Sequence, residues 1–182
     1  RERRSPLSPR ALSAAATEVF RHPVTMGYTL AVGSIFGSFI CYLGTSQQIF
    51  VEQYDQGKLF AVWFGVFAVA IAMAMVLNAK LVMRYGMRNL SKWALRASIV
   101  LSALFLAAGL LLNGHPPLWM LGTYLFANFF CSGILFGNYN AIALEPMGRI
   151  AGMAAAISGA LSSLIAIVTG SFIGQQYDGT VI

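Results

Sequence analysis

Hydrophobic and polar positions along the chain do not alternate; they separate into long apolar windows and short polar breaks. No Asp, Glu, Lys or Arg occurs from His22 to Val51, from Leu59 to Ala79, from Ala97 to Leu144, or from Ile150 to Tyr177. A hydrocarbon core about 30 Å thick is crossed by about 20 helical residues, so each window reaches across and the third is long enough for two crossings. The run "NGHPP", Asn113 to Pro117, divides that third window, because Asn-Gly and Pro-Pro are loop dipeptides that a helix interior rejects. The pattern predicts five spans, at about 24–48, 59–81, 90–112, 118–140 and 148–174. They are expected to be helices, since backbone groups in lipid must find partners inside their own segment. A β-barrel would need short alternating strands, which the sequence lacks. Trp63, Trp93 and Trp119 fall near span ends, where interfacial aromatics belong.

Composition agrees with this pattern: 58% of residues are hydrophobic and 10% charged, against roughly 45–50% and about 25% in soluble domains. The two cysteines, Cys41 and Cys131, lie in apolar runs and suggest neither a disulfide framework nor a metal site. No signal peptide is recognisable in the first ten residues, "RERRSPLSPR". The chain reads as a piece of a longer protein. Residues 1–23 read as a cytoplasmic linker ending in a short amphipathic helix, and residues 24–182 as a transmembrane helical bundle.

Charge gives the orientation. Eleven Lys and Arg fall in the N-terminal tail, around Arg84 and at Arg149, and only Lys58 falls on the other side. By the positive-inside rule the tail, the Arg84 loop and the Arg149 loop face the cytoplasm. Anionic lipid heads there attract Lys and Arg by about 1 kcal/mol each. Arg84, Gly86 and Arg88 either serve only as this anchor or form a specific tight turn around the glycine. Nucleic-acid binding is the wrong reading of these residues, because they flank membrane spans and no folded reader accompanies them.

Inside the membrane, close approach through small residues drives helix association. Gly33 and Gly37 on the first span have the required four-residue spacing, as do Gly152, Ala156 and Ala160 in one row of the last span and Ala155, Gly159 and Ser163 in an adjacent row. They are read as packing faces, static or sliding. Two polar stripes are more telling, because polar groups in hydrocarbon turn inward. Tyr124, Asn128, Cys131, Leu135 and Asn138 share one face of the fourth span, and Ser34, Ser38, Cys41, Thr45 and Gln48 share one face of the first, with Tyr42 beside them. The candidate substrate-cavity residues are therefore Ser34, Ser38, Tyr42, Thr45, Tyr124, Asn128 and Asn138, with interhelical hydrogen bonding as the simpler alternative. Glu145, Arg149, Arg84 and Arg88 read as a cytoplasmic ion-pair network, proton relay at Glu145 being the other reading. No P-loop, H-E-x-x-H helix or G-x-S-x-G elbow occurs, so an enzyme is not expected, nor is a bound metal or cofactor.

Three stretches carry a family resemblance: "LVMRYGMRN", "GNYNAIALEPMGRIAGMAAAISG" and "GSFIGQQYDGT". With these the chain resembles the C-terminal half of a major facilitator superfamily transporter, most like the Bcr/CflA-type multidrug efflux proteins of bacteria. The superfamily's cytoplasmic motif reads G-x-x-x-D-x-x-G-R-[KR]. Aligned on Gly86, Arg88 matches the last basic position, while Ala79, Met83 and Met87 replace the glycine, the aspartate and the first arginine. The resemblance implies an all-α membrane protein whose five transmembrane helices correspond to helices seven to eleven of a twelve-helix fold. It further implies proton-driven antiport of small amphipathic drug-like compounds across the bacterial inner membrane, conferring antibiotic resistance by alternating access against an N-terminal six-helix half. The energy source would be the proton gradient, with no cofactor. A small-metabolite transporter of the same fold and a non-transport subunit of a membrane complex are the alternatives.

Overall fold

A computed structural model describes residues 9–181, and every regular element among them is helical. The elements are α1 (Pro9–Arg21), α2 (Pro23–Gln47), α3 (Phe60–Tyr85), α4 (Met87–Leu111), α5 (Leu118–Leu144) and α6 (Ala151–Gly174). Residues 1–8 of the expected linker and the final Ile182 lie outside the described residues. Four helical stretches are long and apolar enough to cross a membrane, and the last of them, Leu118–Gly174, has 57 residues. At 1.5 Å per residue that is about 85 Å of helix, nearly three hydrocarbon thicknesses. It breaks at the 3-10 turn Glu145–Ile150, where Met147 leaves helical angles (φ −100, ψ 17). Two crossings result, so α2 to α6 are five long apolar helices of an all-α, multi-pass membrane protein.

Local chemistry sets the boundaries. His22 precedes a proline and is pushed to extended angles (φ −86, ψ 110); Pro23 then opens α2, and His22 Nδ1 accepts from the Thr25 N–H at 3.4 Å. Beyond Gln47 a π-helical turn, Gln48–Gln53, lengthens α2. Between α3 and α4 there is only Gly86, at φ 76 and ψ 151, a region essentially closed to other residues. The expected basic loop is thus one residue long, and Arg88, Lys92 and Arg96 ride on α4 itself. Asn113 (φ 51) and Gly114 (φ 77) reverse the chain after α4, and Pro117 stands at the start of α5.

α5 occupies the middle of the bundle against α2, α3 and α4, whereas α6 packs on α2 and makes few contacts with α5. Glycines permit the closest approaches. A Cβ at Gly33 would lie 2.8 Å from Ile165 Cβ, one at Gly37 would strike Thr169 Oγ1, and one at Gly133 would lie 2.8 Å from Ala74 Cβ. The Ser162 hydroxyl also donates to Thr29 O at 3.0 Å, tying α6 to α2. α6 buries the row Ala154, Ser158, Ser162, Ala166 and Gly170. Gly152, Ala156 and Gly159 instead point outward, and nothing lies within 4 Å of a Cβ added at either glycine. At the same end α1 buries Ala15 and Val19, the latter in a cluster with Met147 and Ala154.

Candidate functional site

Asn128 organises the polar interior between α4 and α5. Its Oδ1 accepts from Ser98 Oγ at 2.7 Å, and its Nδ2 donates to the Tyr124 hydroxyl at 3.0 Å and to Ser102 Oγ at 3.4 Å. Ser102 and Tyr124 lie 3.2 Å apart, and Phe105 stacks on Tyr124 with centroids at 4.1 Å. Asn128 and Tyr124 are one helical turn apart on α5, as Ser98 and Ser102 are on α4, so each helix offers two groups to the other. An amide with both ends bonded is tolerated in an apolar interior and holds its rotamer there.

These groups form one wall of a cavity of about 470 Å³ bounded by α2, α3, α4 and α5. Ser38 and Tyr42 of α2 also line it, and Phe36, Phe39, Phe129 and Phe136 supply aromatic surface. Tyr42 sits in a ring cluster, with centroids 4.9 Å from Phe129 and 5.9 Å from both Phe64 and Phe67. No Asp, Glu, Lys, Arg or His lines this cavity. A smaller one, about 300 Å³, shares Ser38, Tyr42 and Tyr124 and continues toward Thr45 and Tyr177. The size and the few polar groups fit a small-molecule pocket, for which about 300–1,000 Å³ is usual.

Of the residues named from the sequence, Ser38, Tyr42, Tyr124 and Asn128 line the larger cavity. Thr45 lines the smaller one and donates to Cys41 O at 3.0 Å. Ser34 is exposed, donates to Leu30 O at 3.0 Å and lines neither. Asn138 turns to α3, where it and Asn78 exchange two amide hydrogen bonds of 2.9 Å each. Ser98 and Ser102 were not singled out, although their four-residue spacing in α4 was the available signal. Trp63, expected at an interface, stacks inward on Phe50 at 5.7 Å and covers Gly122, whereas Trp93 and Trp119 are exposed.

The basic end of the bundle carries two ion pairs, Arg88–Glu145 at 3.1 Å and Arg149–Glu18 at 3.0 Å. Glu145 therefore pairs with α4, and Arg149 with α1. Arg84 lies over the Tyr85 ring, 5.3 Å from its centroid. At the opposite end the segment after α6 straps the loops together. Tyr177 donates to Gln53 Oε1 at 3.0 Å and Val181 N–H to Gly114 O at 3.1 Å, while Tyr54 of the loop before α3 donates directly to Pro116 O at 2.5 Å. Burial, with Glu52 and Asp178 nearby, pushes the Tyr177 phenol up, so it stays a donor across the physiological range. The Thr180 hydroxyl and backbone N–H hold the Asp178 carboxyl below its ordinary value. Among the described residues no group of His, Cys, Asp and Glu is placed to hold a metal ion.

No protein-family model and no solved structure matches the chain. It is 26% identical over 151 residues to YdgK of Bacillus subtilis strain 168, described as an uncharacterized MFS-type transporter. The match covers 82% of this chain and 37% of the relative, so the chain spans little more than a third of the length of the curated protein it matches.

Proposed function

We propose that the chain is half of a proton-coupled multidrug efflux transporter, working by drug:H+ antiport with alternating access. The observation that carries this reading is the larger cavity, which combines four phenylalanine rings with the Tyr42, Ser38 and Asn128 groups and holds no charged side chain. Such a lining accepts many amphipathic compounds rather than one substrate. In this reading α2 to α6 are helices seven to eleven, and an N-terminal six-helix half supplies the opposing wall together with the carboxylate that carries the proton. The basic end lies in the cytoplasm of a bacterium, the spans cross its inner membrane, and the proton gradient replaces any cofactor. Arg88–Glu145 then ties α4 to the end of α5 in one of the two alternating states.

Expressing the full-length gene product in a pump-deficient bacterium tests the proposal. Resistance to several amphipathic compounds should rise, and everted vesicles should release protons when such a compound is added. A protein that raises no resistance and moves no protons would refute the antiport reading. Asn128→Leu is expected to change which compounds are exported while expression stays normal; an unchanged resistance profile would remove Asn128 from the binding surface.

A further inference from the structure

The polar atoms that folding leaves unused narrow what the larger cavity holds. Among the described residues, five buried side-chain atoms have no hydrogen-bond partner: Thr29 Oγ1, the Tyr42 hydroxyl, Trp63 Nε1, Ser91 Oγ and Ser158 Oγ. Only Tyr42 among these lines the two cavities, and it lines both. Its side chain lies among phenylalanine rings, the residue is 8% exposed, and no protein group bonds the hydroxyl. Phenylalanine would fill the same space without that desolvation cost.

The polar cluster between α4 and α5 is already bonded within itself. Asn128 spends its oxygen on Ser98 and its two amide hydrogens on Tyr124 and Ser102, so this cluster shapes a wall. Charge on a ligand would find no counter-charge in the lining and would remain uncompensated in a medium of low dielectric constant. Flat rings, by contrast, meet phenylalanine faces and edges in favourable geometries.

Building on the transporter reading above, we propose that the part of the substrate lodged in this cavity is uncharged and aromatic, and that it carries one polar group hydrogen-bonded to the Tyr42 hydroxyl. Ser38, also on the cavity lining, stands one helical turn before Tyr42, so the two hydroxyl-bearing side chains project from neighbouring turns of α2.

Equilibrium dialysis of the full-length protein in lipid nanodiscs, corrected with empty discs, tests this with two probes. Radiolabelled benzanilide is uncharged, with two rings and an amide; tetraphenylphosphonium is a permanent aromatic cation. Benzanilide should bind, tetraphenylphosphonium should fail to displace it, and Tyr42→Phe should weaken benzanilide about fivefold, the loss of one neutral hydrogen bond. The melting temperature of Tyr42→Phe should be unchanged or raised, because the free protein loses only an unsatisfied group. The proposal is overturned if Tyr42→Phe binds benzanilide as the parent does, if the cation displaces benzanilide as well as unlabelled benzanilide does, or if Tyr42→Phe melts earlier. Tyr42-dependent binding without proton-driven export would refute the antiport reading and keep this site. Export indifferent to Tyr42→Phe would do the reverse.

Discussion

Asn78 and Asn138 show how a single side chain in a membrane bundle is decided by its partner. Each amide satisfies the other across α3 and α5 at 2.9 Å. Replacing Asn138 by Leu strands Asn78 in apolar surroundings and should cost about 1–3 kcal/mol, whereas Leu at both positions should cost less than the sum of the single changes. Thermal unfolding of the four proteins in detergent measures this coupling; strictly additive losses would show that the pair contributes nothing as a pair. The helical period put the polar residues of α5 in one stripe and did not divide them among neighbours. At 100° per residue Asn138 stands about 80° round the helix from Asn128, far enough for one to meet α3 and the other α4. A stripe that wide touches two helices, and the spacing within one segment does not record which.

At the scale of elements, the same ambiguity governs α6. Almost every face of this helix carries small residues, so several four-spaced rows fit a close neighbour equally well in sequence. The row that faces α2 is Ala154 to Gly170, with Gly33 and Gly37 opposite, a choice set by the position of α2 rather than by residue size. The basic end poses the related question of which ionic partners meet. Glu145 was legible as an ion-pair carboxylate, but its partner Arg88 became accessible only because α4 starts at Met87 and carries that arginine toward the end of α5. Glu18, the partner of Arg149, lies 131 residues away in sequence and carried no local signal. Both members of the Arg88–Glu145 pair are well exposed, so the pair is worth less than about 1 kcal/mol to stability. On the transporter reading proposed above, Glu145→Ala in the full-length protein should lower turnover more than substrate binding, and the swap Arg88→Glu with Glu145→Arg should restore part of it. A loss of protein abundance equal to the loss of turnover would assign the pair to folding instead.

For the molecule as a whole, charge is divided between two ends. Arg84, Arg88 and Arg149 share the end where α1 docks, while the strapped end carries Lys58 with Glu52, Asp55 and Asp178. Cysteines introduced beside Arg88 in the full-length protein should resist membrane-impermeant maleimide added to intact cells, whereas cysteines beside Lys58 should react. Labelling beside Arg88 from outside would invert the topology. The helical content was readable beforehand because uninterrupted apolar length is a local property, whereas a tight turn at Gly86 stood as only one of two readings. The arrangement of the helices around α5 was not readable, since it depends on which segments approach each other through space. Gly86 has one mechanical consequence. Two rods of 26 and 25 residues meet at a single swivel with no slack, so whatever tips one of them in the bilayer is handed directly to the other.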